Sequence, residues 1–534
     1  MKQLFMTKQY QLYCLLLILL FGGCKKADKA IAPNNTITSQ TGDNNPPVVA
    51  SGTPKLLKLR INGAYCGFDA TSNCYYFPVS PGTTLSSYTV GYDSVAAAAV
   101  YINGIKLKSG DVLKYQLQTN QQLKIDAAGS DGATVSYILV VTGLPMVLIT
   151  TPSINYVIDE TKSDATMNLV DPDYQSHKVD LQTHSNITIA IRGATAQYLP
   201  KKSYKINTVD ANGVARDIPL LGLRNDEDWI LDAMYIDQAR MRNRVCTDLW
   251  NSFNNVPYIA KEPTALNGTR GYMSEVFVNG QYAGLYCFTE KMDRKQLQVK
   301  KQYGMVYKSD EVTDETTFLD KTGYSNSSAT WAGWELSYPD LGDTPAPDWK
   351  YLHDFAQFVA TSADQDFSGN IASKVDINNL VEYFIFMNAI DATDNMGKNQ
   401  YFSFYDYRTN GNFFYTPWDM DSTLGRDWKG MYLDNAILGV SSNYLFWRLI
   451  KLNAANFKDL VKTRWASLKN NQLSKVTVAN RIEFYRNLLA GTLAFNREAD
   501  RAGNISQTLN NETQYMNNWY SKQYDLVDDY VNNL

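Results

Sequence analysis

In the stretch from Ala389 to Asp419, Asp394 and Asn399 stand five residues apart, and Asp419 follows after about two strands' length of chain. Phosphoryl transfer needs a carboxylate to take the proton of an acceptor hydroxyl. It also needs amide and carboxylate oxygens to hold a metal that bridges the phosphates. Asp394, Asn399 and Asp419 offer those groups in that order, and Asp421 lies two residues further on. The bland alternative is that Asp394 and Asn399 cap turns, since such side chains readily hydrogen-bond the backbone of their own loop. Asp419, Asp421 and Thr423 also invite a calcium-loop reading. It fails for an EF-hand, because Leu424 and Gly430 stand where that loop needs glycine and glutamate.

A nucleotide's phosphates also require cations. Arg192 and the set Lys201, Lys202 and Lys205 occur on successive strand-like runs, where a solvated strand face is the competing explanation. Glu290 ends a hairpin and is placed to orient such a lysine or to touch a ribose. No GxGxxG or Walker A loop is present, so neither a standard protein kinase nor a P-loop enzyme fits. Three histidines (His177, His184, His353) and no CxxC pattern make a histidine triad or a zinc site a poor fit.

The elements that must position these groups follow from periodicity. Short alternating runs fill 54–144, with Asn62-Gly63 and Asn103-Gly104 as hairpin turns. Six or seven such strands indicate an antiparallel, immunoglobulin-like β-sandwich, a spacer or adhesion module. From 145 strands dominate, with a helix from about Gln238 to Phe253 and a hairpin turning at Asn279-Gly280. From Tyr351 the period becomes helical, with Asp376 as an N-cap before Leu380, Val381, Phe384 and Met387. The Asp394 stretch then reads as a loop followed by a β-hairpin, and 442–534 as amphipathic helices. The outline is a β-rich lobe followed by a helical lobe, with the chemistry where the second begins.

With 534 residues the chain is too long for one core, and its formal net charge of −4 carries no basic stripe that would suggest nucleic acid. Lys2 and Lys8 precede ten apolar residues, Leu12 to Phe21, which end in Gly22-Gly23-Cys24. This is an export signal, too short to span a bilayer as a mature helix. It resembles a bacterial lipoprotein signal, 1–23, with Cys24 as the lipidated residue. Nothing later is apolar and long enough to cross a membrane. The polar segment 24–53 is a flexible tether. In that compartment Cys66 and Cys74 are free to pair.

The ordered blocks resemble the spore-coat-protein H (CotH) kinase family. They are Ile191-Arg192-Gly193, Pro200 to Tyr204, Leu221-Gly222-Leu223 with Asp228 to Leu231, and Arg242-Asn243. Phe277 to Tyr286 with Glu290, Gly304 to Lys308, Asp394-Asn395, Lys398-Asn399, Pro417 to Asp421 and Leu424 to Asp427 complete the set. The resemblance implies an α+β bilobal, atypical protein-kinase-like domain over 145–534. It would use ATP and a divalent metal, Mg2+ or Mn2+, to phosphorylate protein hydroxyls. It further implies Asp394 as the catalytic aspartate and Asn399 and Asp419 as metal ligands. Asp421 would be a third ligand or a support, and Lys202 (or Lys201) the phosphate-binding lysine. The sequence thus predicts a lipid-anchored envelope protein whose partners are ATP and a protein acceptor. The rival expectation is a non-catalytic adhesion or glycan-binding lipoprotein with calcium at Asp419 and Asp421.

Overall fold

The computed structural model describes residues 52–153, 158–193, 196–340, 348–409, 411–437 and 442–534. The expected leader, Cys24 and the tether up to residue 51 lie outside the described residues. Residues 53–534 form one compact unit. An N-terminal β-rich region leads into a mixed α/β region, and among the described residues no helix is long and apolar enough to cross a membrane.

The β-rich region holds two sheets. One has four strands centred on Lys55–Ile61 and Tyr88–Val95, and the other has six centred on Thr134–Thr142 and Gln122–Ala128. Alternate residues such as Leu59, Ile61, Ile125 and Leu139 turn inward to one apolar core, as the period of two requires. Asn62-Gly63 and Asn103-Gly104 take positive φ at both positions (51° and 82°; 46° and 79°), the turn geometry that matches strand twist. Met146, Val170 and Phe277 from the next part of the chain belong to the same core. The segment expected to act as a spacer is therefore packed onto its neighbour. A Cβ on Gly67 would come within 2.8 Å of the Phe277 ring, so glycine is what permits that approach. Cys66 and Cys74 are free thiols.

Seven strands then close into a barrel: β1 (Met146–Thr150), β2 (Ser163–Val170), β3 (Gln182–Arg192), β4 (Ser203–Val209), β5 (Asp228–Asp232), β6 (Gly271–Val278) and β7 (Gln281–Glu290). Their order is β1-β2-β3-β4-β5-β7-β6, closed by parallel pairing of β1 with β6. Closure was not foreseen, because nothing local in Met146–Thr150 signals a partner more than a hundred residues away. Helix α1 (Arg242–Asn251) leaves the barrel after β5 and is shorter than its apolar pattern suggested.

A five-stranded antiparallel sheet follows: β8 (Met305–Ser309), β9 (Thr330–Trp331), β10 (Trp334–Tyr338), β11 (Gln400–Phe404) and β12 (Phe414–Pro417), in the order β9-β10-β8-β11-β12. The other longer helices, of nine residues or more, are α2 (Lys350–Thr361), α3 (Ile377–Ile390), α4 (Tyr444–Leu452), α5 (Phe457–Leu468), α6 (Lys475–Gly491), α7 (Ala494–Ala502) and α8 (Leu509–Asn532). Helix α3 is buried around most of its circumference, from Asn379 to Ile390, which marks it as a core helix. It starts where the Asp376 carboxylate accepts the Asn379 N–H at 2.8 Å. It ends at Asp391, in the left-handed region at φ 50°. Both ends are thus fixed, and the chain leaves α3 aimed at the Asp394 loop.

Candidate active-site cleft

After α3 the chain makes one 3-10 turn, Asp394–Met396, whose carbonyl at Asp394 accepts the Lys398 N–H at 2.8 Å. The buried Asn395 side chain donates to the carbonyls of Asn399 (2.7 Å) and Trp418 (2.8 Å). Asn443 holds the Met396 carbonyl at 2.9 Å, and the Tyr383 hydroxyl donates to the Asn395 carbonyl. The β11–β12 hairpin pairs Gln400 with Pro417, so Asn399 and Trp418 meet just beyond it, the Trp418 N–H donating to the Asn399 carbonyl at 2.9 Å. This register brings Asn399 and Asp419 side by side although nineteen residues separate them in the chain. Both take left-handed backbone, φ 53° and 54°. That conformation is uncommon for residues other than glycine, though Asn and Asp tolerate it best.

These loops open onto a cleft of about 480 Å³. Of the residues singled out in the sequence, the cleft brings together Arg192, Lys201, Asp394, Asn399, Asp419 and Asp421. It does not bring Lys202 or Glu290. Lys202 donates to the Gln197 carbonyl at 2.6 Å and faces a different cavity. Glu290 is fully buried and accepts from the Arg270 guanidinium (2.6 Å), the Arg270 N–H (2.8 Å) and the Arg224 N–H (3.1 Å). It braces the end of β7 and does not reach the cleft lining.

Lys201 is nearly fully buried, with Nζ 2.7 Å from Glu498 Oε1 of α7 and also on the Leu285 carbonyl. Burial pushes its ammonium down to about 7, against the opposing pull of Glu498. Glu498 also takes Arg240 Nε at 2.9 Å and the Leu285 N–H at 2.9 Å. Burial alone would raise its carboxyl, but Lys201 and Arg240 together hold it below its usual range. Arg192 stacks over the Trp418 ring at 5.7 Å. Among the described residues no carboxylate pairs with it.

Sequence reasoning gave no role to Asp232, Asn243 or Lys308 of the cleft wall, nor to Glu498 behind it. Asp232 ends β5, one residue past the run that was noted, and accepts from Asn243 of α1 at 3.1 Å. Asn243 in turn accepts the Met420 N–H at 3.2 Å, linking the barrel to the Asp419 loop. Lys308 of β8 pairs with Asp310 and lies 3.5 Å from Glu335. Glu498 had no local signal, because it is one polar residue in an amphipathic helix far down the chain.

The carboxylates repel one another in partly desolvated surroundings. Burial and then Asp232 push the Asp419 carboxyl up to about 6, with Arg192 and Lys308 opposing. Burial and then Asp419 push Asp421 well up. Burial also raises Asp394, with Lys398 opposing. The Asp419 carboxylate has no hydrogen-bond or ion-pair partner among the described residues. Hard oxygen donors (Asp419, Asp421 and the Asn399 amide) with unrelieved negative charge fit Mg2+ or Mn2+. Such ions are ordinarily held by one or two carboxylates plus substrate phosphates. Elsewhere Asp217, Asp226 and Glu227 have oxygens within 4.8 Å of one another. Lys295 and Arg224 neutralise that group.

A family model described as CotH kinase protein matches residues 189–527. Among curated proteins, the inner spore coat protein H of Bacillus subtilis (strain 168) is 25% identical over 251 residues, 47% of this chain and 62% of that relative. The chain therefore spans less than two thirds of the length of the relative it matches.

Proposed function

The chain belongs to the CotH kinase protein family, and we propose that its cleft is a kinase-like site that transfers the γ-phosphoryl group of ATP to a serine or threonine hydroxyl of a protein. The observation that carries this is the convergence of Asp394, Asn399, Asp419 and Asp421 with Arg192 and Lys201 in one cleft. Asp394 takes the proton of the acceptor hydroxyl. Its raised carboxyl keeps it a stronger base than an exposed aspartate, and it must be ionised to act, so activity falls as pH drops through that raised value. Asn399, Asp419 and Asp421 would hold a divalent metal, which when bound neutralises phosphate charge. Arg192, without a carboxylate partner among the described residues, is a cation open to phosphate oxygens. Lys201 is committed to Glu498 and lends positive potential from the wall. Trp428, on the loop after the Asp419 cluster, is 40% exposed at the mouth and would contact the acceptor.

The same reading places an immunoglobulin-like sandwich over 54–144, a kinase-like domain over 145–534, and the protein in the cell envelope, anchored through lipidated Cys24. The test of the chemistry is calorimetry with ATP and Mg2+ or Mn2+, followed by autophosphorylation with labelled ATP. Wild type is expected to bind nucleotide and to incorporate label, and Asp394→Ala and Asp419→Ala to lose incorporation by at least about a hundredfold. No nucleotide binding by wild type, together with label equal to the variants, favours the adhesion or glycan-binding reading instead. For the anchor, Cys24→Ser is expected to move the protein from the membrane to the soluble fraction. Unchanged fractionation refutes lipidation at that residue.

A further inference from the structure

Behind the cleft wall that Lys201 forms lies a second cavity, of about 670 Å³, which Lys201 also lines. It sits where the β-rich region, the barrel and α7 meet, and its polar groups divide into those already satisfied and those that are not. Asp69 is satisfied. Its carboxylate accepts the N–H groups of Thr71 (3.4 Å), Ser72 (3.2 Å) and Tyr282 (3.4 Å) and the Ser72 hydroxyl (2.6 Å). Arg497 is satisfied too, in a two-pronged pair with Glu275 at 2.7 and 3.0 Å. Lys201 is consumed by Glu498.

Two cations remain. Lys202 donates only to the Gln197 carbonyl (2.6 Å), and Arg501 only through Nε to the Tyr282 carbonyl (2.9 Å). Neither meets a carboxylate among the described residues. The Tyr204 hydroxyl, on the same wall, has no hydrogen-bond partner among them. Asp500 is the one lining carboxylate without a partner, and it is exposed. The cavity therefore presents an excess of unspent donors from two elements: Lys202 and Tyr204 at the start of β4, and Arg501 of α7.

We propose that this second cavity is a binding site for a small phosphorylated ligand, its phosphate held by Lys202, Arg501 and the Tyr204 hydroxyl. A lysine as a compact point charge and an arginine with a free fork suit an oxyanion. Two cations and a hydroxyl donor suit the charge and the three terminal oxygens of a phosphate ester better than a singly charged, planar carboxylate. The volume is that of a small-molecule site. The site is separate from the cleft and does not depend on phosphoryl transfer there.

Calorimetry on the full chain, without nucleotide or divalent cation, tests this with inorganic phosphate, phosphoserine and acetate as probes. Phosphate and phosphoserine are expected to bind and acetate not. Lys202→Gln and Arg501→Gln should each weaken binding about tenfold, the loss of one charge-assisted contact. Asp500→Asn should tighten binding, and Arg192→Ala, which alters only the cleft, should leave it unchanged. Far-ultraviolet circular dichroism and melting of each variant establish that it is folded. The assignment is overturned by any of three results: equal binding to the Lys202 and Arg501 variants, loss on Arg192→Ala (which would place the phosphate in the cleft), or acetate binding as well as phosphate. Absence of binding to wild type likewise refutes it, whatever the kinase assay shows.

Discussion

Asp391 shows what a single buried carboxyl does to this fold. It is 1% exposed, its Oδ1 has no hydrogen-bond partner, and burial pushes its carboxyl up to about 7. Its value in the unfolded chain is near the ordinary one, about 3.9. A raised folded value means that the protonated form is the one the fold favours. That stabilisation is complete below about pH 4 and is lost as pH rises through about 7. Asp391→Asn is neutral at every pH and also tolerates the left-handed backbone at this position. The variant is therefore expected to be more stable than wild type at pH 8, by at least about 1 kcal/mol, and equal to it at pH 4, as read from denaturant midpoints. An equal difference at both pH values would show that the carboxyl's charge is not the cause. The neighbouring aspartates of the cleft carry the same penalty with a use for it, since a divalent cation relieves what protonation otherwise must.

At the scale of elements, the cleft exists because two loops are tied at one point. The Asn395 amide bridges the carbonyl of Asn399, which enters β11, to that of Trp418, which leaves β12. Asn395→Ala leaves the partly buried Trp418 carbonyl unmet and removes one of the two donors on the Asn399 carbonyl, at about 1–3 kcal/mol. It should cut kcat far more than it changes nucleotide affinity, because Asp394 and Asp419 lose their relative placement while Arg192 stays. Single-turnover and binding measurements separate the two effects, and an equal loss in both would point to general unfolding. Much of this part was legible in the chain. The Asp376 N-cap, the β11–β12 hairpin and the Asn279-Gly280 turn each rest on local rules, and the hairpin register alone places Asn399 beside Asp419. The sequence reading put Lys202 and Glu290 among the nucleotide-binding groups, and neither lines the cleft, for a physical reason. Type and neighbourhood mark a residue as charged, but which of two adjacent lysines faces which cavity depends on how β4 enters a closed barrel. The barrel in turn depends on a β1–β6 pairing with no local signature.

Across the whole molecule, one buried ion cluster joins the barrel to the far end of the chain. Glu498 of α7 receives Lys201, Arg240 and the Leu285 N–H, all far earlier in sequence. The β-rich region leans on the same corner, where Asn120 donates to the Gly491 carbonyl at 2.7 Å just before α7. Glu498→Gln leaves two buried cations facing a neutral amide and should cost about 3–5 kcal/mol. The double variant Lys201→Met/Glu498→Gln should recover part of that stability, because it removes one of the two cations and leaves Arg240 alone of the cluster without its carboxylate. Chemical unfolding of the four forms measures the coupling, and additive losses would mean that the pair does not act as a unit. Chains emerge from the ribosome with their N-terminal parts first. Every group that lines the cleft, from Arg192 to Trp428, has therefore been made before Glu498 exists. Until synthesis reaches α7, Lys201 has no counter-ion, and the barrel wall that carries it is left incomplete. A polypeptide not yet extended to α7 thus carries the cleft's residues without the carboxylate that fixes Lys201 in its wall.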